Sequence, residues 1–469
     1  MKQLHRPFVV NDLIVLFFNE LGLGHRAMKK FSSLFGWEGL HLKTFQGKES
    51  RVIRSIIDNT EEVLSASVSN VKEAYATLDS DVSTDPLCIT VSFDGSWHKR
   101  GHTSMYGFAS VIDVLTGLVV DYVVLSKYCH ACSTKKSKLG EDSEEYKEWY
   151  QGHEDQCAIN YIGSSNAMEV EAARRLWQRS EDRHGLRYTG FLSDGDSKAH
   201  RAVCDMDIYP EPILKEECIN HVHKRMGTAL INLGKQKKLG GKGHGRLTKE
   251  KAIKFQHYYR WAIVNNVGNQ DAMREAIWAS LFHCMSTDEA PQHHRCPTGP
   301  NSWCFYQKAV ATDTDTPPHN THIKYPLATS VAQEMIPIYE RMSDANLLKR
   351  MEKGKTQNAN ECLHSVIWSR CPKTVFIRKE KLHGAAAAAI AVFNEGAIQL
   401  TQVMDRLAIE TNQIHNLLME EIDQKRIQRA NKASSANVRK ERADRWVKKR
   451  QQRATQEAAE GTTYAAGGF

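Results

Sequence analysis

The sequence predicts an α/β protein: a mixed-sheet core interrupted by a large all-helical insertion, with a helical N-terminal region before it and a basic tail after it. Three observations predict this. Three strand-like runs follow one another between 88 and 126, helix and strand textures alternate from 166 to 222, and helical periodicity holds from 245 to 350 before another helix starts at Asn360. A chain of 469 residues, 41% hydrophobic and 25% charged, has room for about three domains.

Residues 10–79 read as helical. A short amphipathic piece ends near Gly22–Gly24, a second runs to Gly36, and a third follows Gln46–Gly47 with Val52, Ile53, Ile56, Ile57, Val63, Leu64, Val68 and Val71 at three- and four-residue steps. From Leu87 the texture is β-rich. CITVSFDGSW (88–97), SMYGFASVIDV (104–114) and LVVDYVVLS (118–126) are split by short turns, the second at Thr116–Gly117, and read as an antiparallel meander. A helix over 166–182 follows, then the strand-like YTGFLSDGDS (188–197), a helical start at Ser197, and the strand-like ILKEECINHV (213–222). Strands, helix, strand, helix, strand is the order of a ribonuclease H-like core. The expected divisions are 1–85, 86–225 with an insert at 127–160, 226–352 with a Cys/His cluster at 283–304, 353–400, and 401–469.

Charge is concentrated at one end. Between Lys425 and Arg453 stand 12 Lys/Arg and two acids, so this segment is +10 in a chain of net charge +8, and the rest is −2. A basic arm on a nearly neutral body suits phosphate contact or nuclear import. A second basic stretch, GKQKKLGGKGHGR (234–246), mixes glycine with Lys237, Lys238 and Lys242, as a loop beside a phosphate backbone does, but does not fit the nucleotide-binding pattern GxxxxGK[ST]. The longest apolar run, GAAAAAIAVF (384–393), has ten residues, about half of a membrane span. With no cleavable leader after the first apolar stretch, an intracellular protein with reduced thiols is expected.

Asp94 ends one apolar strand, and Asp194 and Asp196 end another. Glu361 opens a helix with Leu363, Val366 and Ile367 on its buried face and Asn358 or Asn360 as its expected cap. Two aspartates and a glutamate at one sheet edge can hold two Mg²⁺ ions about 4 Å apart, the arrangement of a phosphoryl-transfer site. Asp-Gly is also a common turn, and a glutamate in a first helical turn also favours the helix dipole.

Eleven cysteines include several at metal-ligand spacing. Cys129, Cys132, His153 and Cys157 form C-x2-C-x20-H-x3-C inside a charged insert that has little apolar surface of its own, so tetrahedral Zn²⁺ would fold it. A second cluster offers His283, His293, Cys296 and Cys304, with Cys284 and His294 as substitutes. Four protein ligands leave no open position for water, so both zinc sites are expected to be structural.

FDGSW (93–97), SDGDSK (193–198), ECINHVHKRMG (217–227), CPTGPNSWC (296–304) and QNANECLHSVIWSRCPK (357–373) together resemble the Mutator-like transposase domain, over about residues 20–397. The resemblance implies a ribonuclease H-like fold with a DDE triad and an all-helical insertion between the fifth strand and the glutamate. It puts Asp94 first, Asp194 or its neighbour Asp196 second, and Glu361 third, with Mg²⁺ or Mn²⁺ as catalytic ion. It also puts a Cys-x2-His element at Cys218 and His221, either a core hydrogen-bonding pair or a DNA-positioning one.

The function expected is DNA cleavage and strand transfer at element ends in the nucleus. Element ends, target DNA and further copies of the chain are the expected partners. The alternative is a transposase-derived, non-enzymatic DNA-binding or chromatin protein that keeps the fold without strand transfer.

Overall fold

A computed structural model describes residues 9–79, 85–99, 103–195, 198–241, 244–323 and 325–435, with isolated positions as far as 452. Its centre is a five-stranded sheet in the order β3-β2-β1-β4-β5, formed by β1 (Leu87–Trp97), β2 (Tyr106–Asp113), β3 (Val119–Ser126), β4 (Leu186–Ser193) and β5 (Leu214–Glu217). The first three strands make the expected antiparallel meander, and β4 and β5 continue the sheet in parallel with β1.

Helices cover both faces, which is why β2 and β3 are buried along their whole length. On one face, Ala109, Val111, Val120 and Val123 pack with Met168, Ala172 and Trp177 of helix Met168–Gln178. On the other, Phe108, Ile112, Tyr122 and Val124 meet Leu363 and Ile367 of helix Asn358–Arg370 and Leu382, Ala386 and Ala389 of helix Lys379–Glu395.

Local expectations are corrected in three places. Strand β5 is shorter than ILKEECINHV suggests: helix Ile219–Gln236 starts directly after it, because Ile219, Val222, Met226 and Leu230 recur at helical spacing and bury in a second core. Helix Leu42–Leu78 runs unbroken through Gln46–Gly47, since Phe45, Glu49 and Val52 already bury on one face. Part of the expected helical basic tail is docked on the rest of the chain. Helix Gln413–Ser434 docks through Asp423, whose carboxylate accepts from Ala397 N–H at 2.7 Å, and 12 of the 29 residues of the 425–453 basic segment lie outside the described residues.

The second core is built by helices Ile219–Gln236, Lys249–Val264, Gln270–Met285, Thr329–Met342 and Ala345–Met351, around Phe255, Met273, Met335 and Tyr339. Among the described residues, no strand lies between β5 and helix Asn358–Arg370. The GAAAAAIAVF run packs helix against helix: a Cβ added to Gly384 would come within 3.0 Å of Ile53 Cγ1, so the small residues let helix Lys379–Glu395 approach Leu42–Leu78 closely. Among the described residues, no helix is long and apolar enough to cross a membrane.

The charge of Asp121 is buried in the sheet. Asp121 on β3 has a fully buried side chain that takes both arms of Arg179 at 2.7 Å, with Arg183 Nη1 and His184 Nε2 each at 3.5 Å. Burial pushes its carboxyl up, but hydrogen bonds from His184 and Arg179 outweigh that and hold it below the usual value. Asp121→Ala strands these cations and should cost about 3–5 kcal/mol in denaturant unfolding. Because the folded pKa is depressed, the contribution is complete above the usual carboxylate range and is lost as pH falls through the folded value. The gap between wild type and variant should therefore narrow in acid.

Candidate active site and metal centres

Parallel pairing brings the two aspartates together. The last β1–β4 pair is Ser92↔Leu192, and two residues further along each chain stand Asp94 and Asp194. Asp94 is not at the end of its strand, as the sequence suggested: β1 continues to Trp97, paired with β2 through Trp97↔Gly107, while its pairing with β4 has stopped. It therefore lies where β1 and β4 part. The Arg225 guanidinium lies close against Gly195, where an added Cβ would be 2.1 Å from its Nη2. The competing acid, Asp196, lies outside the described residues, as does Lys242.

Glu361 arrives in the first turn of helix Asn358–Arg370, which is bolted to β1 and β5 by side chains. Gln357 Nε2 donates to Phe93 O at 2.9 Å, Asn360 Nδ2 donates to Ser92 O at 3.3 Å, and the Ser92 hydroxyl donates to Asn360 Oδ1. The Gln357 backbone N–H points at Cys218 Sγ, 3.4 Å away, and Cys218 N–H donates to Ser193 O at 3.1 Å. Neither asparagine caps the helix as expected. Gln357 occupies the cap position without a side-chain cap bond, Asn360 is buried against β1, and Asn358 Oδ1 accepts from Asn220 Nδ2 at 2.8 Å.

His221 joins the acids. Its Nδ1 is 3.8 Å from Asp194 Oδ2 and its Nε2 is 3.7 Å from Glu361 Oε1. The Cys-x2-His pair is thus divided in role, with Cys218 a joint between elements and His221 a member of the carboxylate patch. Asp94 is raised to about 7 by burial and then by the charges of Glu169, Asp194 and Glu361. His364, one turn after Glu361, puts Nδ1 3.7 Å from Asp94 Oδ2, and burial lowers it to about 4. Lys237 pairs with Glu334 at 3.4 Å, and its neighbour Lys238 is exposed in a left-handed turn, φ +53°.

Both Cys/His clusters come together. In each, one ligand atom from every residue lies within 4.8 Å of all the others. In the first, Cys129 Sγ is 3.3 Å from His153 Nε2 and Cys132 Sγ is 3.5 Å from Cys157 Sγ, with Trp149 stacked on His153. Helices His130–Leu139 and Glu144–Gln151 of this insert bury only Cys132 and Tyr146, so the ligands stand where a core would be. In the second, His283, His293, Cys296 and Cys304 are all buried, with Cys296 Sγ 3.7 Å from His283 Nδ1 and Cys304 Sγ 3.4 Å from His293 Nδ1. Of the two substitutes, Cys284 packs into the helical core and His294 faces Phe282. The described cysteines are all free thiols, in keeping with metal rather than disulfide use.

The sequence pattern of Mutator-like transposases matches residues 2–304, well over half of the chain. The chain belongs to the Mutator-like transposase family. No curated protein is significantly similar to it. For a Mutator-like transposase, DNA is the implied partner and nucleotidyl transfer the general class of chemistry. The matched span holds Asp94, Asp194, Cys218, His221 and both Cys/His clusters, and ends before Glu361.

Sequence reasoning missed several residues of this transposase's patch. His364 was legible, because it follows Glu361 by three positions and so shares its helix face. Glu169 was not: it opens helix Met168–Gln178, and only the packing of that helix on the sheet brings its charge to Asp94. Gln357 and Asn360 read as polar start signals, and only the structure turns them inward.

Proposed function

We propose that this Mutator-like transposase cuts element ends and joins them to target DNA on a ribonuclease H-like core, with Mg²⁺ or Mn²⁺ held by Asp94, Asp194 and Glu361. The observation that supports the reading is that His221 stands 3.8 Å from Asp194 and 3.7 Å from Glu361 while Asp94 feels the charges of both, although the three acids are separated by 100 and 167 residues. The sheet order, three antiparallel strands followed by two parallel ones, supports the fold assignment.

The donor set fits a hard cation. Burial first, and then the charges of Glu169, Asp194 and Glu361, raise Asp94 to about 7, and a divalent ion would relieve the repulsion among these acids. When bound, such ions stabilise the attacking and leaving oxygens of a phosphodiester. The chain's own part is positioning. Strands fix Asp94 and Asp194, Gln357 and Asn360 fix Glu361, and His221 spans Asp194 and Glu361, so DNA meets acids already arranged. Zn²⁺ at the two Cys/His clusters serves folding.

The test is nicking and joining of a terminal DNA fragment by the full zinc-replete chain. Product with Mg²⁺ or Mn²⁺, abolished by EDTA, is the expected result; no product with either metal overturns the reading.

The basic C-terminal segment suits phosphate contact and entry into the nucleus, where a homo-oligomer would hold two ends. Residues 436–469 carry eight Lys/Arg and four acids. Deleting them should weaken non-specific DNA binding and flatten its salt dependence, by about 0.9 in log–log slope for each phosphate the segment neutralises. Titrations at several salt concentrations measure this, and equal slopes would remove DNA contact from the segment's role.

A further inference from the structure

Behind the second Cys/His cluster, Ser286, His319 and Asp288 close a hydrogen-bond circuit on the far nitrogen of His293. His293 Nδ1 faces the cluster, 3.4 Å from Cys304 Sγ and 3.8 Å from Cys296 Sγ. Its Nε2 faces away, 2.9 Å from Ser286 Oγ and 2.9 Å from His319 Nε2, and those two atoms are 2.8 Å apart. His319 Nδ1 is 2.7 Å from Asp288 Oδ1, which also accepts the His319 backbone N–H at 3.0 Å. Ser286, His293 and His319 are buried, while the side chain of Asp288 is 57% exposed.

The proton positions follow by elimination. An ionised carboxylate only accepts, so His319 carries its proton on Nδ1 and presents a lone pair at Nε2. Ser286 Oγ accepts the Gln292 N–H at 2.8 Å, which leaves it one acceptor site and one proton. If His293 Nε2 were also a lone pair, two ring acceptors would face each other at 2.9 Å with a single hydroxyl proton to share in a buried place. With a proton on His293 Nε2 every partner is satisfied: His293 donates to Ser286, and Ser286 donates to His319. The lone pair of His293 is then at Nδ1, directed at Cys296 and Cys304.

We propose that Asp288, His319 and Ser286 form a relay that locks His293 in the tautomer and orientation of an Nδ1 metal ligand and so sets how firmly the cluster holds its ion. The inference rests on the zinc reading of this cluster. His319 and Asp288 are positioning residues here, because each acts through His293. The relay also ties the chain at 319 back to the 286–304 loop, so that the ion and the fold of this part of the helical lobe support one another.

The experiment compares zinc content and zinc release to a chromogenic chelator for the full-length chain and its Cys304→Ser, His319→Ala, Asp288→Ala and Asp288→Asn variants. Wild type should hold one more zinc than Cys304→Ser. His319→Ala and Asp288→Ala should weaken zinc binding by roughly 10–100-fold, the usual effect of losing such an outer partner. Asp288→Asn should stay near wild type, since its amide oxygen still accepts from His319 Nδ1. Nitrogen-15 NMR should find His293 bound through Nδ1. Equal zinc in wild type and Cys304→Ser would remove the zinc reading itself. Zinc present but released at the wild-type rate from both alanine variants, or His293 bound through Nε2, would overturn the relay alone. Asp288 is exposed, so its variants keep the test open if His319→Ala fails to fold.

Discussion

Glu361→Gln should leave this transposase folded and bound to DNA while metal-dependent nicking falls by at least about 10²–10³-fold, the scale of removing one preorganised electrostatic partner from a transition state. The side chain of Glu361 is 58% exposed, and the bolts that hold its helix belong to Gln357 and Asn360, so the substitution removes a charge and little packing. If Glu361 served only the helix N-terminus, the loss would be about 0.3–1 kcal/mol of stability with nicking unchanged. Thermal midpoint, DNA affinity and nicking rate measured on one preparation separate these outcomes, and full nicking would remove Glu361 from the mechanism. Asp94→Asn should be as inactive, yet melt higher in EDTA than wild type. The reason is that burial and the charges of Glu169, Asp194 and Glu361 oppose ionisation of Asp94, a cost that asparagine does not carry.

The second large effect concerns the Cys/His clusters. Cys304→Ser should release the ion of the helical lobe and Cys132→Ser that of the 127–160 insert, each variant losing one zinc equivalent and keeping the other. Structural zinc supplies roughly 10–16 kcal/mol of binding free energy in small metal-folded modules, so the stability loss should exceed that of any single apolar substitution nearby. The insert should suffer most locally, because its two helices bury little besides Cys132 and Tyr146. The helical lobe keeps Phe255, Met273 and Tyr339 and should lose thermal midpoint rather than unfold. Both variants retaining the full zinc complement would sink the two sites as drawn.

The sequence by itself determined whatever depends on period and spacing. The β1–β3 runs, the N-terminal helices and the helical stretch after β5 show because a side chain's burial repeats every two or every three to four residues. Cys129, Cys132, His153 and Cys157 were legible because a short insert lacking apolar surface leaves its ligands conspicuous. The tertiary structure decided what depends on contacts between distant segments. It put Asp94 and Asp194 two residues past the last β1–β4 pair, set His221 between Asp194 and Glu361, and brought Glu169 to bear on Asp94. It also placed His319 behind His293. None of these could be read along the chain, because a carboxylate or imidazole carries no periodic signal, and its partner is chosen by how sheet and helices pack rather than by its neighbours in sequence.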